Sequence, residues 1–159
     1  MNVGQLMKRA VMACGADDTL NAAAQVMWDH DCGCVPVVDA DKKVIGMITD
    51  RDICMAAYTQ GGALRSLLVS SAMAKNVFVC KPTDSISYAE RVMRDHQIHR
   101  LPVVDETGQL AGIISLNDIA SEAGHEASAR KRDISLAEVG ETLAAVCKTR
   151  ASELIASAA

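Results

Sequence analysis

The octapeptide GMITDRDI at residues 46–53 returns as GIISLNDI at residues 112–119, and no other feature restricts the fold of this chain so tightly. Sliding the sequence by 66 residues places Met7 on Met73, Val11 on Val77, Cys14 on Cys80, Asp18 on Asp84 and Ala23 on Ala89. The register runs on without a gap through Pro36/Pro102, Asp39/Asp105, Gly46/Gly112, Asp52/Asp118 and Ile53/Ile119. A match of that length is an internal duplication, so every element read in one copy is checked by the other.

Each copy reads as β-α-β-β-α. Residues 11–14 and 77–80 are apolar runs of strand length ahead of a polar turn. Asp18-Thr19 and Asp84-Ser85 then offer oxygens to the unpaired amides of a first helical turn. Behind them Leu20, Ala23, Ala24 and Met27, like Ile86, Ala89 and Met93, recur at helical spacing. Residues 35–38 and 101–104 form a proline-containing strand, a polar turn follows, and residues 44–49 and 110–115 return as a hairpin. A second helix begins near Asp50 or Asn117. One copy is too small to bury its own core, so the expected fold class is α/β (α+β), with the two repeats packed about a pseudo-two-fold axis and a cleft on either side. The expected domains are residues 1–66, 67–124 and a tail, 125–159. Gly61-Gly62 interrupts the first copy before residues 64–73 resume helical spacing. In the tail, Ser135 and Glu138 read as a capping box. The helix it opens carries Leu136, Val139, Leu143, Val146 and Leu154 on one side, a stripe for its own core or for a second subunit.

The formal net charge is −4 and the pI about 5.5, and Arg130-Lys131-Arg132 is the one tight basic cluster. Trp28, Phe78, Tyr58 and Tyr88 are the whole aromatic set, so neither a phosphate-tracking field nor a base-stacking platform is expected. No apolar run approaches the roughly 20 residues of a membrane span. No secretory or transit pattern opens the chain, which gives a cytoplasmic expectation with six free thiols.

With the capped helix start, the strands VPVVD and LPVVD, and the doubled octapeptide, both copies resemble CBS domains, and the pair resembles a Bateman module. The resemblance implies a sensor that binds an adenosine-containing ligand between the repeats. AMP, ADP or ATP is expected, S-adenosylmethionine and NAD also fit, and no cofactor is required. The residue chemistry agrees. Thr49 with Asp52, and Ser115 with Asp118, place a hydroxyl and a carboxylate three residues apart at a strand-to-helix junction, where they can converge on the two hydroxyls of a ribose. The helix N-terminus beside them favours phosphate. The same aspartates also suit simple helix capping, and the two roles are compatible.

By the resemblance, Gly46 and Gly112 leave room for the ligand or for a closely packed backbone. Val35 and Leu101, beside Pro36 and Pro102, face adenine, with Ala13 and Val79 as further wall; each also suits ordinary core. IHRLPVVD resembles a phosphate-binding repeat of the γ subunit of AMP-activated protein kinase, which gives His99 and Arg100 to phosphate. The first copy has Gly33 and Cys34 there, and neither can hold phosphate as a guanidinium does. Arg51 is a second phosphate candidate or a surface arginine, and Asn117 completes the set beside Asp118. His30 and His96 end equivalent helices, which suits a scaffold role. Cys32, Cys34 and His30 could serve a redox or metal sensor, although the spacing is not the two-residue gap of structural zinc sites. No nucleophile, acid/base or phosphate-loop signature occurs, so the expectation is a non-enzyme. Its output would pass to an unidentified regulated protein or to its own homodimer; a purely structural dimerisation module is the remaining alternative.

Overall fold

The computed structural model describes residues 1–126 and 133–148. The basic cluster at 130–132 and Leu154 lie outside the described residues. The described part holds α1 (Val3–Leu6), β1 (Cys14–Gly15), α2 (Leu20–Asp29), β2 (Cys34–Val38), β3 (Val44–Thr49), α3 (Asp50–Gln60), α4 (Ile86–His96), β4 (Arg100–Val104), β5 (Leu110–Ser115), α5 (Leu116–Glu126) and α6 (Leu136–Val146). It is a mixed α and β architecture with two small sheets, the first copy in the expected β-α-β-β-α order and the second as α-β-β-α, with an isolated bridge at Cys80 in place of its first strand.

Two compact units form, and they do not follow the sequence copies residue for residue. One comprises Arg9–Val79 with Val104–Gly112; the other takes Met1–Lys8, Cys80–Val103 and the described residues from Ile113 onward. Thus the first eight residues fold with the second copy. There the Val3 amide donates to the Asp84 carbonyl and Gly4 to Pro82, both at 2.8 Å, while Lys8 and Ile113 exchange two backbone hydrogen bonds of 2.9 Å.

In the first unit β2 pairs antiparallel with β3 and parallel with β1, over a core of Leu20, Ala23, Met27, Val35, Val37, Ile48 and Ile53. The strand expected at residues 11–14 shrinks to Cys14–Gly15, paired with Val37–Val38, and at 77–80 only Cys80 bridges, to Val103. The side chains before those cysteines face solvent, Met12 and Val79 being exposed, so nothing holds a longer ladder there. Residues 64–73 form two short 3₁₀ turns rather than a helix. Their backbone is engaged elsewhere: Leu20 donates to the Leu67 carbonyl, Val69 to Asp18 and Ser70 to Ala16.

The caps divide the labour within each Asp-Ser/Thr pair. Thr19 and Ser85 accept from the Ala22 and Tyr88 amides, whereas Asp18 and Asp84 turn back to accept from Gly15 and Lys81, each at 2.7 Å. Asp39 and Asp105 brace the hairpin turns by accepting amides two and four residues on. Each turn closes through a left-handed residue, Lys42 at φ 62° and its repeat-mate Gly108 at φ 83°. The helices before β2 and β4 likewise end on left-handed Asp31 and Gln97, at φ 47° and 52°.

In the second unit α6 packs on α4 and α5, so the tail covers its own core. The expected stripe divides. Val139 and Val146 are buried with Thr142, while Leu136 and Leu143 remain exposed. On α4, Glu90 is 2 % exposed and its Oε1 has no hydrogen-bond partner among the described residues. Burial, then the neighbouring Glu138, raises its carboxyl pKa above the ordinary 4.5, against the opposing pull of Arg94. The folded state therefore keeps a proton that the unfolded chain releases, so this stability is full below about pH 4.5 and is lost as pH rises to the folded value. Glu90→Gln is expected to melt higher than the parent at neutral pH and level with it near pH 4. Parallel melting curves across that range would contradict this.

Candidate functional site

The junctions after β3 and β5 are built alike. Asp52 Oδ2 accepts from the Thr49 amide at 2.9 Å and from the Thr49 hydroxyl at 2.7 Å, while the Asp52 amide donates to that hydroxyl at 3.1 Å. Asp118 Oδ2 accepts from the Ser115 amide at 3.0 Å and the Ser115 hydroxyl at 2.5 Å, and the Asp118 amide returns 3.2 Å to the hydroxyl. Each carboxylate thus caps its helix with one oxygen. Capping leaves Oδ1, the second oxygen, for another partner. All four side-chain positions are half-buried, which suits groups that hold their geometry and still meet a ligand.

The second oxygens differ. Asp118 Oδ1 lies 3.1 Å from Lys8 Nζ, an ion pair that sequence reasoning missed because Lys8 is remote in the chain. The repeat-mate of Lys8 is Ala74, whose backbone pairs with Met47 as that of Lys8 pairs with Ile113. A methyl group offers Asp52 no charge.

The other candidates differ in exposure. Val35, Pro36, Leu101 and Pro102 are buried; Ala13 is half-buried, and Val79 is 37 % exposed. Arg51, His99, Arg100 and Asn117 are exposed. The carbonyls of Gly33 and of its repeat-mate His99 accept from the first amides of α3 and α5, Asp50 at 3.1 Å and Leu116 at 2.9 Å. His99 therefore sits beside the helix start that carries Asp118, and Arg100 opens β4 next to it. The room at Gly46 is taken by packing: a Cβ there would come 2.6 Å from Met73 Sδ and 3.2 Å from the Ala74 carbonyl oxygen.

His30 and His96 are exposed at the ends of α2 and α4. Cys32 is exposed and Cys34 buried, and no group of three or more metal-ligating side chains comes together among the described residues. Cys14 and Cys80 each lie 3.9 Å from the carbonyl of the following proline strand, Pro36 or Pro102. Burial and then the charge of Asp18 push the Cys14 thiol up to about 11; burial and Asp84 push Cys80 to about 12. Since the thiolate is the reactive form, a thiol reagent at pH 8 should modify Cys32, Cys54 and Cys147 in the native protein and reach Cys14, Cys34 and Cys80 only after unfolding. Peptide mapping checks the order; early labelling of Cys80 would refute it.

The CBS-domain family model matches residues 3–58 and 69–125, one match for each copy. The chain belongs to the CBS-domain family. Hypoxic response protein 1 of Mycobacterium tuberculosis is 34% identical over 115 residues, spanning 72% of this chain and 80% of the relative; a solved structure of Hypoxic Response Protein I holds two coordinated zinc ions and superimposes with a TM-score of 0.70 at 32% identity, covering 76% and 98% of the two chains. The CBS domain pair of protein MJ0100, solved with 5′-methylthioadenosine and S-adenosylmethionine, gives a TM-score of 0.72 at 22% identity over 79% of this chain and 98% of the other. CBSX2, solved with AMP, gives 0.68 at 22% identity over 78% and 96%. These solved structures share the fold. Among the described residues, no helix is long and apolar enough to cross a membrane.

Proposed function

We propose that this CBS pair is a non-catalytic sensor that binds an adenosine-containing ligand, AMP, ADP or ATP, with Asp52 and Asp118 accepting from the ribose hydroxyls. The observation that carries this reading is the duplicated junction, in which Oδ2 of each aspartate is spent on the cap and Oδ1 lies at a helix N-terminus outside it, at Asp118 against the exposed Lys8 ammonium. His99 and Arg100 take the phosphate. The adenosine ligands named for MJ0100 and CBSX2 support the ligand class. Binding shifts the population of conformers, and an unidentified regulated protein or a homodimer reads the shift. The exposed Leu136 and Leu143 of α6 are the dimer surface in this reading, and light scattering on the same samples checks it.

Calorimetric titration of nucleotide-stripped protein with AMP, ADP, ATP, NADH and S-adenosylmethionine tests the proposal. Saturable binding by an adenosine ligand, weakened by either aspartate change, supports it. Silence across the panel overturns it and leaves either a redox or metal sensor on Cys32, Cys34 and His30, which zinc uptake by the parent and its loss in Cys32→Ser would reveal, or a purely structural dimerisation module.

A further inference from the structure

The duplication supplies an internal control for the contact between Lys8 and Asp118. Lys8 is locked by its backbone to Ile113, two residues before Ser115 on β5; Ala74 is locked in the same way to Met47, two residues before Thr49 on β3, by bonds of 2.9 and 3.0 Å. The frames match, and the side chains do not. One capped carboxylate therefore carries an ammonium 3.1 Å from Oδ1, and in the other copy the residue at the lysine's position is an alanine.

We propose that Lys8 is a specificity-determining residue that makes the Asp118 site selective for phosphorylated adenosine ligands, while the Asp52 site, with alanine in that place, discriminates far less by ligand charge. The inference rests on reading both aspartates as ribose-binding groups. A carboxylate aimed at a ribose diol also sets a negative charge within a few ångströms of a 5′-phosphate, which repels it. An ammonium on the same carboxylate cancels that repulsion. Mobility favours the same role: the Asp118 side chain is 11% exposed and held by Ser115, whereas Lys8 is 68% exposed, so Lys8 is the partner free to yield Oδ1 to a hydroxyl and turn towards the phosphate. The neighbouring charges run the same way. The second unit adds His99 and Arg100 beside α5, where the first has Gly33 and Cys34; Arg51 on α3 is followed and preceded by Asp52 and Asp50, where α5 has Asn117 between Leu116 and Asp118.

The test is calorimetry with AMP and adenosine on the full chain, one site at a time. In an Asp52→Ala background, Lys8→Ala should lower the preference for AMP over adenosine by about twofold to fivefold, the range of an exposed ion pair. Lys8→Arg should restore it, and salt on the order of 0.5 M should erase the difference. In an Asp118→Ala background, Ala74→Lys should raise the same preference at Asp52. If both ligands bind and the aspartates matter, but neither lysine change moves the ratio, the role of Lys8 is wrong and the ribose reading stands. If neither ligand binds, or the aspartate changes are without effect, the ribose reading fails and takes the charge assignment with it.

Discussion

Asp118→Ala weakens binding of the adenosine ligand by about tenfold to 150-fold at its site, and Asp52→Ala does the same at the other, so the double variant is weakened at both. The range corresponds to about 1.5–3 kcal/mol for a hydrogen bond to a charged group. Geometry explains why so much rests on one side chain. Asp118 Oδ2 is fixed by two donors from Ser115, so Oδ1 is presented without further loss of rotamer freedom once the exposed Lys8 yields it. The same truncation removes a cap and should lower stability by about 0.5–2 kcal/mol. Asp118→Asn separates the two effects, because an amide oxygen still accepts from Ser115 but carries no charge. If Asn and Ala variants both bind as tightly as the parent, the carboxylates are caps alone.

Leu101→Ala is expected to lower the unfolding free energy by about 2–5 kcal/mol, the range for truncating a buried leucine. At this chain length that corresponds to a melting temperature lower by roughly 4–20 °C. Leu101 has no exposed surface, and Pro102, Val103 and Val104 beside it on β4 are buried as well. Removal of its branch therefore leaves a void that the strand cannot collapse to fill. Val79→Ala, at a position 37% exposed, should cost under about 0.5 kcal/mol and serves as the contrast. Denaturant unfolding reads both. A loss below about 1 kcal/mol at Leu101 would mean that the side chain lines open space, the place an adenine wall requires.

Much of the candidate site was legible because its logic is local. A hydroxyl and a carboxylate three residues apart at a strand end can reach each other's amides whatever surrounds them, and the 66-residue repeat wrote the arrangement twice. Hairpin turns at Asp39 and Asp105, caps at Thr19 and Ser85, and the order of the elements follow from the same short-range bonding. Spacing could not show that residues 11–14 lack a partner for most of their length, or that the backbone of residues 64–73 is spent on loop carbonyls. Nor could it sort the α6 stripe. Leu136, Val139, Leu143 and Val146 share the same helical period, yet only the valines meet α4 and α5 closely enough to be buried.

The sequence by itself determined the duplication, the type and order of the elements, and the capped carboxylate at each junction, since every one of these rests on bonds between residues a few places apart. Only the tertiary structure decided that the first eight residues fold with the second copy, that Glu90 is buried, and that Lys8 closes on Asp118. Those outcomes depend on contacts between distant parts of the chain, and distance along the sequence carries no signal of which charge will meet which.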